Sequence, residues 1–202
     1  TGHKSTLIVV SAMGKTTNAL EKLIEVYFED SQKIESQLNE VIDYHLGIMT
    51  EIFDYPNHDV FDEVKGKFDR LRTFLNSNKS PHYSFVYDQV VSTGELVSTT
   101  IITHYLNSKG ISANWLDARD CIQTDPNYRD ANVDWARTEV AIREQVSPNQ
   151  LYVTQGFIGS DDNNFTTTLG REGSDYTAAI FAYCLNGNSV TIWKDVPGVL
   201  NA

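Results

Sequence analysis

Cysteine is nearly absent from this 202-residue sequence: Cys121 and Cys184 are the only two, far apart in the chain. They lack the close pairing of a zinc site or a redox motif. A reduced compartment fits best, and a cytoplasmic location is expected. Long apolar runs are missing too. No stretch approaches the roughly 20 residues that cross a bilayer. The opening residues Thr1-Gly2-His3-Lys4-Ser5 carry no apolar signal region, so no membrane partner is expected. Positive charge is scarce, with 16 Lys and Arg against 27 Asp and Glu and a net charge of -11. Such a surface repels phosphate backbones, which argues against nucleic acid and leaves anionic ligands to a few local cations or metal ions. The five histidines, His3, His45, His58, His82 and His104, form no ligand spacing, and no metal site is expected in the protein itself.

What is present alternates between two textures. Leu7-Ile8-Val9-Val10 within Thr6 to Ala12 reads as a strand covered on both faces, and a Gly-Lys-Thr turn leads into a helix carrying Leu20, Leu23, Ile24 and Tyr27. Helical spacing continues through Ile34, Leu38, Val41, Ile42, Met49 and Ile52. It resumes after Tyr55-Pro56-Asn57 with Phe61, Val64, Phe68, Leu71 and Leu75, giving a helical block over about 30–80. Ser84 to Thr93 has a strand-and-turn texture, followed by a helix from about Gly94 to Lys109 capped by Gly110. Ile111 to Leu116 is expected as a strand, Asp117 to Trp135 as mostly loop, Ala136 to Gln145 as a helix and Leu151 to Gln155 as a strand. Ser174 to Leu185 then reads as a helix and Ser189 to Trp193 as a final strand. This alternation predicts an α/β fold of three layers, α/β/α, with a mainly parallel central sheet and an inserted helical subdomain.

Several nucleotide-binding signatures are excluded by single residues. Gly14-Lys15-Thr16 follows an apolar strand, but a P-loop needs glycine where this chain has Val9. No Gly-x-Gly-x-x-Gly turn occurs, so a Rossmann dinucleotide site lacks its phosphate-binding element. The segment Leu169-Gly170-Arg171-Glu172-Gly173-Ser174-Asp175 has more to offer an anion. Its glycines allow close backbone approach, Ser174 and Asp175 open a helix whose amino end favours negative charge, and Arg171 presents a planar fork for a carboxylate. Taken alone it reads equally well as a polar turn with an ordinary cap at Ser174.

Four segments in order, SAMGKTTN (11–18), STGELVS (92–98), QGFIG (155–159) and TTLGREGSDYTA (167–178), resemble the aspartate kinase signature. WKDVPGV (193–199) is similar to that family's nucleotide-side turn. The resemblance implies a kinase transferring the γ-phosphoryl group of ATP, with Mg2+, to the β-carboxylate of L-aspartate. A homodimer is expected because the family's first strand, unmatched here, would leave an unpaired sheet position. The resemblance places Ser11, Thr17, Glu95, Phe157, Arg171 and Ser174 around aspartate, with Arg171 on a substrate carboxylate and Glu95 on the amino group. An acid at Asp175 would orient a phosphate-contacting lysine, while Lys194, Asp195 and Gly198 would meet the nucleotide. Read singly, Ser11 and Thr17 could cap the first helix, Glu95 could serve its helix's positive end, and Phe157 could be core. A carboxylate acceptor is already ionised at neutral pH, so the implied chemistry needs alignment and charge neutralisation rather than a general base.

The chain also departs from the family pattern. Its first ten residues do not match the Lys-Phe-Gly-Gly-Thr strand that supplies the family's phosphate-binding lysine, and it ends before the Asp-Pro-Arg segment and the regulatory ACT domains. Residues 1–202 therefore read as a catalytic domain truncated at both ends and inactive alone, with Asp175 lacking its lysine. Lys194 stands where threonine is commoner, Leu200 replaces a tyrosine and Glu172 a glycine. Readings that remain beside this one are another amino-acid kinase, acting on glutamate, acetylglutamate or a nucleoside monophosphate, and a non-catalytic ligand-binding module.

Overall fold

The computed structural model describes residues 5–54, 58–170 and 173–194. Its centre is a parallel sheet in the order β1 (Thr6–Val10), β3 (Leu151–Gln155), β2 (Asn114–Leu116), with Ile8 beside Val153 and Leu116 beside Thr154. Because successive side chains of a strand face opposite ways, the same three strands feed two apolar layers. Ile8, Val10, Leu151 and Val153 pack with Ile102 and Leu106 of helix α4 (Tyr83–Ser108). Leu7, Val9, Leu116 and Tyr152 pack with Ile142 of α5 (Trp135–Gln145) and with Ile180 and Phe181 of α6 (Gly173–Cys184). The result is the three-layer α/β/α arrangement with a parallel sheet that the alternating sequence predicts.

A second core lies between helices. Leu20, Leu23 and Ile24 of α1 (Thr16–Glu29) meet Leu38, Val41 and Met49 of α2 (Ile34–Ile52). Phe68, Leu71 and Leu75 of α3 (Val60–Ser77) and Val86, Val90 and Val97 of α4 close the cluster. All of these apolar positions in α1–α3 are legible from their helical spacing. Gly14 makes the turn into α1 with φ +54°, and a Cβ there would lie 2.4 Å from the Tyr44 hydroxyl, so backbone conformation and space both call for glycine.

Two expected elements are corrected. Ser84 to Thr93 is not strand and turn but the first part of the 26-residue α4. This part of α4 is buried nearly all round and rich in Val and aromatic residues, so it shows no apolar stripe and imitates a buried strand. Ser189 to Trp193 forms no strand; it is exposed, with Trp193 91% accessible, and no described strand pairs with it. β-Propensity produces a strand only where an edge is available for pairing. The short antiparallel pair β4 (Ile158–Ser160) and β5 (Thr166–Thr168) follows β3 and leads toward α6.

Candidate active site

Ligands of open parallel sheets sit beyond the carboxyl ends of the strands, and here those ends gather four of the sequence motifs. Ser11 and Ala12 follow β1, Gly156 and Phe157 follow β3, Gly94, Glu95 and Ser98 lie midway along α4, and Ser174 and Asp175 open α6. Hydrogen bonds join them. The Gly156 N–H donates to the Val10 carbonyl at 3.0 Å, the Ser98 hydroxyl donates to the Ser11 carbonyl at 2.7 Å, and the Ser11 hydroxyl donates to Ser174 Oγ at 2.8 Å.

Glycine makes this convergence possible. A Cβ on Gly94 would stand 3.0 Å from Ala12 Cβ and 3.1 Å from Thr16 Cγ2, so its absence lets α4 lie against the start of α1. A Cβ on Gly156 would fall 2.3 Å from Ser174 Oγ, and one on Gly173 2.5 Å from the Phe157 ring. Phe157 itself has φ +71°, a left-handed conformation that costs a non-glycine residue about 1–2 kcal/mol. Its N–H donates to Thr177 Oγ1 at 2.9 Å and its carbonyl accepts from the Leu169 N–H at 2.9 Å, which hold the turn in place. The ring packs against the helical core, so Phe157 is at once a core contact and a wall of the site.

Glu95 is the unusual group. Its side chain is buried, at 3% exposure, yet Oε1 accepts only a long 3.4 Å bond from the Ala12 N–H and Oε2 has no partner among the described residues. Burial pushes its carboxyl up to about 8, and the few backbone hydrogen bonds offset this only in part. A carboxylate left in this state is costly unless a cation or a proton meets it. At the opposite side of the cluster Asp175 Oδ2 pairs with Lys194 Nζ at 2.7 Å. The expected gap beside Asp175 is therefore corrected: this carboxylate has an ammonium partner, supplied by the tertiary approach of residue 194 to the start of α6.

Of the residues expected around aspartate, the fold brings Ser11, Glu95, Phe157 and Ser174 together. Thr17 sits half-buried in the first turn of α1. Neither it nor Ser11 caps that helix, because no side chain does; Thr16 turns its hydroxyl back to the Met13 carbonyl at 2.7 Å. Lys194 joins the site through Asp175, whereas Arg171, Asp195 and Gly198, with Glu172 and Leu200, lie outside the described residues.

The sequence reading passed over two supporting groups. Thr99 Oγ1 donates to the Glu95 carbonyl at 2.9 Å and accepts from Trp115 Nε1 at 2.9 Å and Gln155 Nε2 at 2.7 Å, fixing the helix turn that bears Glu95 to β2 and β3. Asp88, two helical turns before Glu95, accepts from the Thr168 N–H and hydroxyl, both at 2.8 Å, and from the Arg129 N–H at 3.0 Å. It thereby anchors the end of β5, from which the glycine-rich loop departs. The seven-residue interval between the two acids is a helical signal, hidden while Ser84 to Thr93 is read as strand.

Comparison with known proteins agrees with this fold. The chain is 34% identical over 196 residues to lysine-sensitive aspartokinase 3 of Escherichia coli, covering 96% of this chain and 43% of that protein. It is 32% identical over 205 residues to the chloroplastic bifunctional aspartokinase/homoserine dehydrogenase of Daucus carota, covering 97% of this chain and 22% of that one. It thus spans less than half the length of these curated relatives. The solved structure of E. coli aspartokinase III in complex with aspartate and ADP superposes with a TM-score of 0.86 at 33% identity, over 96% of this chain and 43% of the other. The complex of the same enzyme with lysine and aspartate gives 0.85 at 32% identity, with the same coverage. The amino acid kinase family model matches residues 2–202, and the chain belongs to the amino acid kinase family.

Proposed function

We propose that this chain is catalytic-domain sequence of an aspartate kinase, in which an oxygen of the β-carboxylate of L-aspartate attacks the γ-phosphorus of ATP, the bond from that phosphorus to the β,γ-bridging oxygen breaks, and ADP leaves. The observation that carries the reading is Glu95: a buried carboxylate oxygen without a partner, at the meeting of three motifs, asks for a small cation such as a substrate ammonium. An N-acetylated amino acid or a nucleoside monophosphate offers no ammonium there, which favours a free amino acid. The aspartate and ADP held by the E. coli relative support the same choice.

On the phosphate side, the Asp175–Lys194 pair at the opening of α6, together with the Ser11 and Ser174 hydroxyls, suits an anionic group. Lys194 would offer positive charge there, and Asp175 would orient that ammonium without acting as a base. Magnesium would arrive with the nucleotide, bound chiefly by its phosphates, and would neutralise charge on the transferring group. The full-length protein should release ADP from MgATP only when L-aspartate is added, and should form a hydroxylamine-trappable acyl phosphate. Turnover with glutamate, acetylglutamate or a nucleoside monophosphate in place of aspartate would overturn the assignment, and absence of turnover with binding of both ligands would favour a non-catalytic module.

A further inference from the structure

We propose that binding of L-aspartate drives a proton off Glu95: the empty pocket holds the neutral acid, and the arriving ammonium converts it to the carboxylate, releasing one proton to solvent. This rests on the aspartate reading above and adds a proton to its binding equilibrium.

The argument begins with what surrounds Glu95. An ionised carboxylate taken out of water is normally met by several donors or by a cation, and among the described residues Glu95 has one long backbone bond. The strands beside it, β1, β3, β4 and β5, carry no charged residue. Among the described residues, every other charge on the neighbouring elements is engaged elsewhere or stands at the surface. On α4 itself Asp88 is taken by Thr168 and Arg129, and His104 pairs with Glu63. On the α1 side Lys15 is exposed and Glu21 accepts from the Tyr87 hydroxyl. His45 of α2, behind Thr16, bonds the Val41 carbonyl and is held below its ordinary range by burial. Lys67 of α3 lies over the Trp115 ring, Asp117 pairs with Arg119, and Asp175 with Lys194. None of these contributes to the shift of Glu95, whose largest cause is burial.

A substrate ammonium against Oε2 reverses that balance. It provides both the missing donor and the opposite charge, so the ionised form becomes the favoured one. Written as a balance, the acid form of Glu95 plus the ammonium form of aspartate gives the carboxylate–ammonium pair plus one free proton.

The test is calorimetric titration of L-aspartate into the full-length protein at pH 7, in buffers of different ionisation enthalpy. The slope of observed heat against buffer enthalpy should correspond to release of roughly 0.9 proton per aspartate, because an acid titrating at about 8 is mostly protonated there. Glu95→Gln should bind more weakly and release none, and succinate, which has no ammonium, should release none from the unaltered protein. In the unaltered protein the dissociation constant for aspartate should also rise, by up to about tenfold per unit, as pH falls below 8. Aspartate binding with no buffer dependence and a flat pH profile would overturn the proposal and leave the aspartate reading intact. Equal release by Glu95→Gln would overturn it by moving the proton to another group. Failure of the unaltered protein to bind aspartate would overturn the aspartate reading, and the proposal with it.

Discussion

Asp88 and Glu95 lie seven residues apart on α4, both are buried, and both are raised in pKa by burial, to about 6 and about 8. They differ in what surrounds their oxygens. Asp88 accepts from three donor groups on two other segments, whereas one oxygen of Glu95 meets none among the described residues. The first is spent on joining α4 to β5; the second is left incomplete. Counting partners separates two buried acids of the same helix: protein donors satisfy Asp88, while Glu95 keeps an oxygen that, under the proposed function, a ligand would complete.

The largest way to break this comparison is Asp88→Ala. It leaves the Thr168 N–H and hydroxyl without their acceptor in a fully buried position, and should cost about 3 kcal/mol of stability in urea denaturation. A loss below about 1 kcal/mol would mean that the clamp is not needed. Glu95→Gln should act in the opposite direction. The folded Glu95 titrates at about 8 against an ordinary 4.5, so the folded chain keeps a proton that the unfolded chain gives up, and stability falls as pH rises between those values. Glutamine removes that dependence. Without substrate, Glu95→Gln should match the unaltered protein near pH 4 and exceed it at pH 8, read as a higher Tm there. Equal melting at both pH values would show that the pocket supplies partners after all. The smallest effect belongs to Thr168→Val, which removes one of the three donors to Asp88 and keeps the other two; it should cost about 1 kcal/mol and leave aspartate affinity within twofold.

Much of the architecture could be read from residue spacing. Leu7 to Val10 and Leu151 to Gln155 form the expected strands, Ala136 to Gln145 lies in the expected helix, and the helical periods of α1, α2 and α3 bury the faces expected of them. Reading failed where burial erased the pattern. Ser84 to Thr93 is enclosed by helices on one side and strands on another, so no polar face marks it as a helix, and Asp88 went unnoticed within it. It failed again at Ser189 to Trp193, where β-branched residues have no described edge to pair with. In the site, Ser11, Glu95, Phe157 and Ser174 are given roles through motif order; of their supports, Ser98 and Gln155 lie within the same motifs without a role of their own, and Thr99 lies outside them. Those supports are ordinary polar residues, and only their distances distinguish them.

The sequence by itself determined the acidic character of the chain, the alternation of strand and helix, the family resemblance and most of the residues that meet at the strand ends. It could do so because periodicity and motif order are properties of the chain written out in a line. Tertiary structure decided that Glu95 is buried with an oxygen unmet, that Asp88 is buried and satisfied, and that Lys194 reaches Asp175. Each of these depends on which distant segments approach a given atom and on how much water they displace, and neither is encoded in the local spacing of residues.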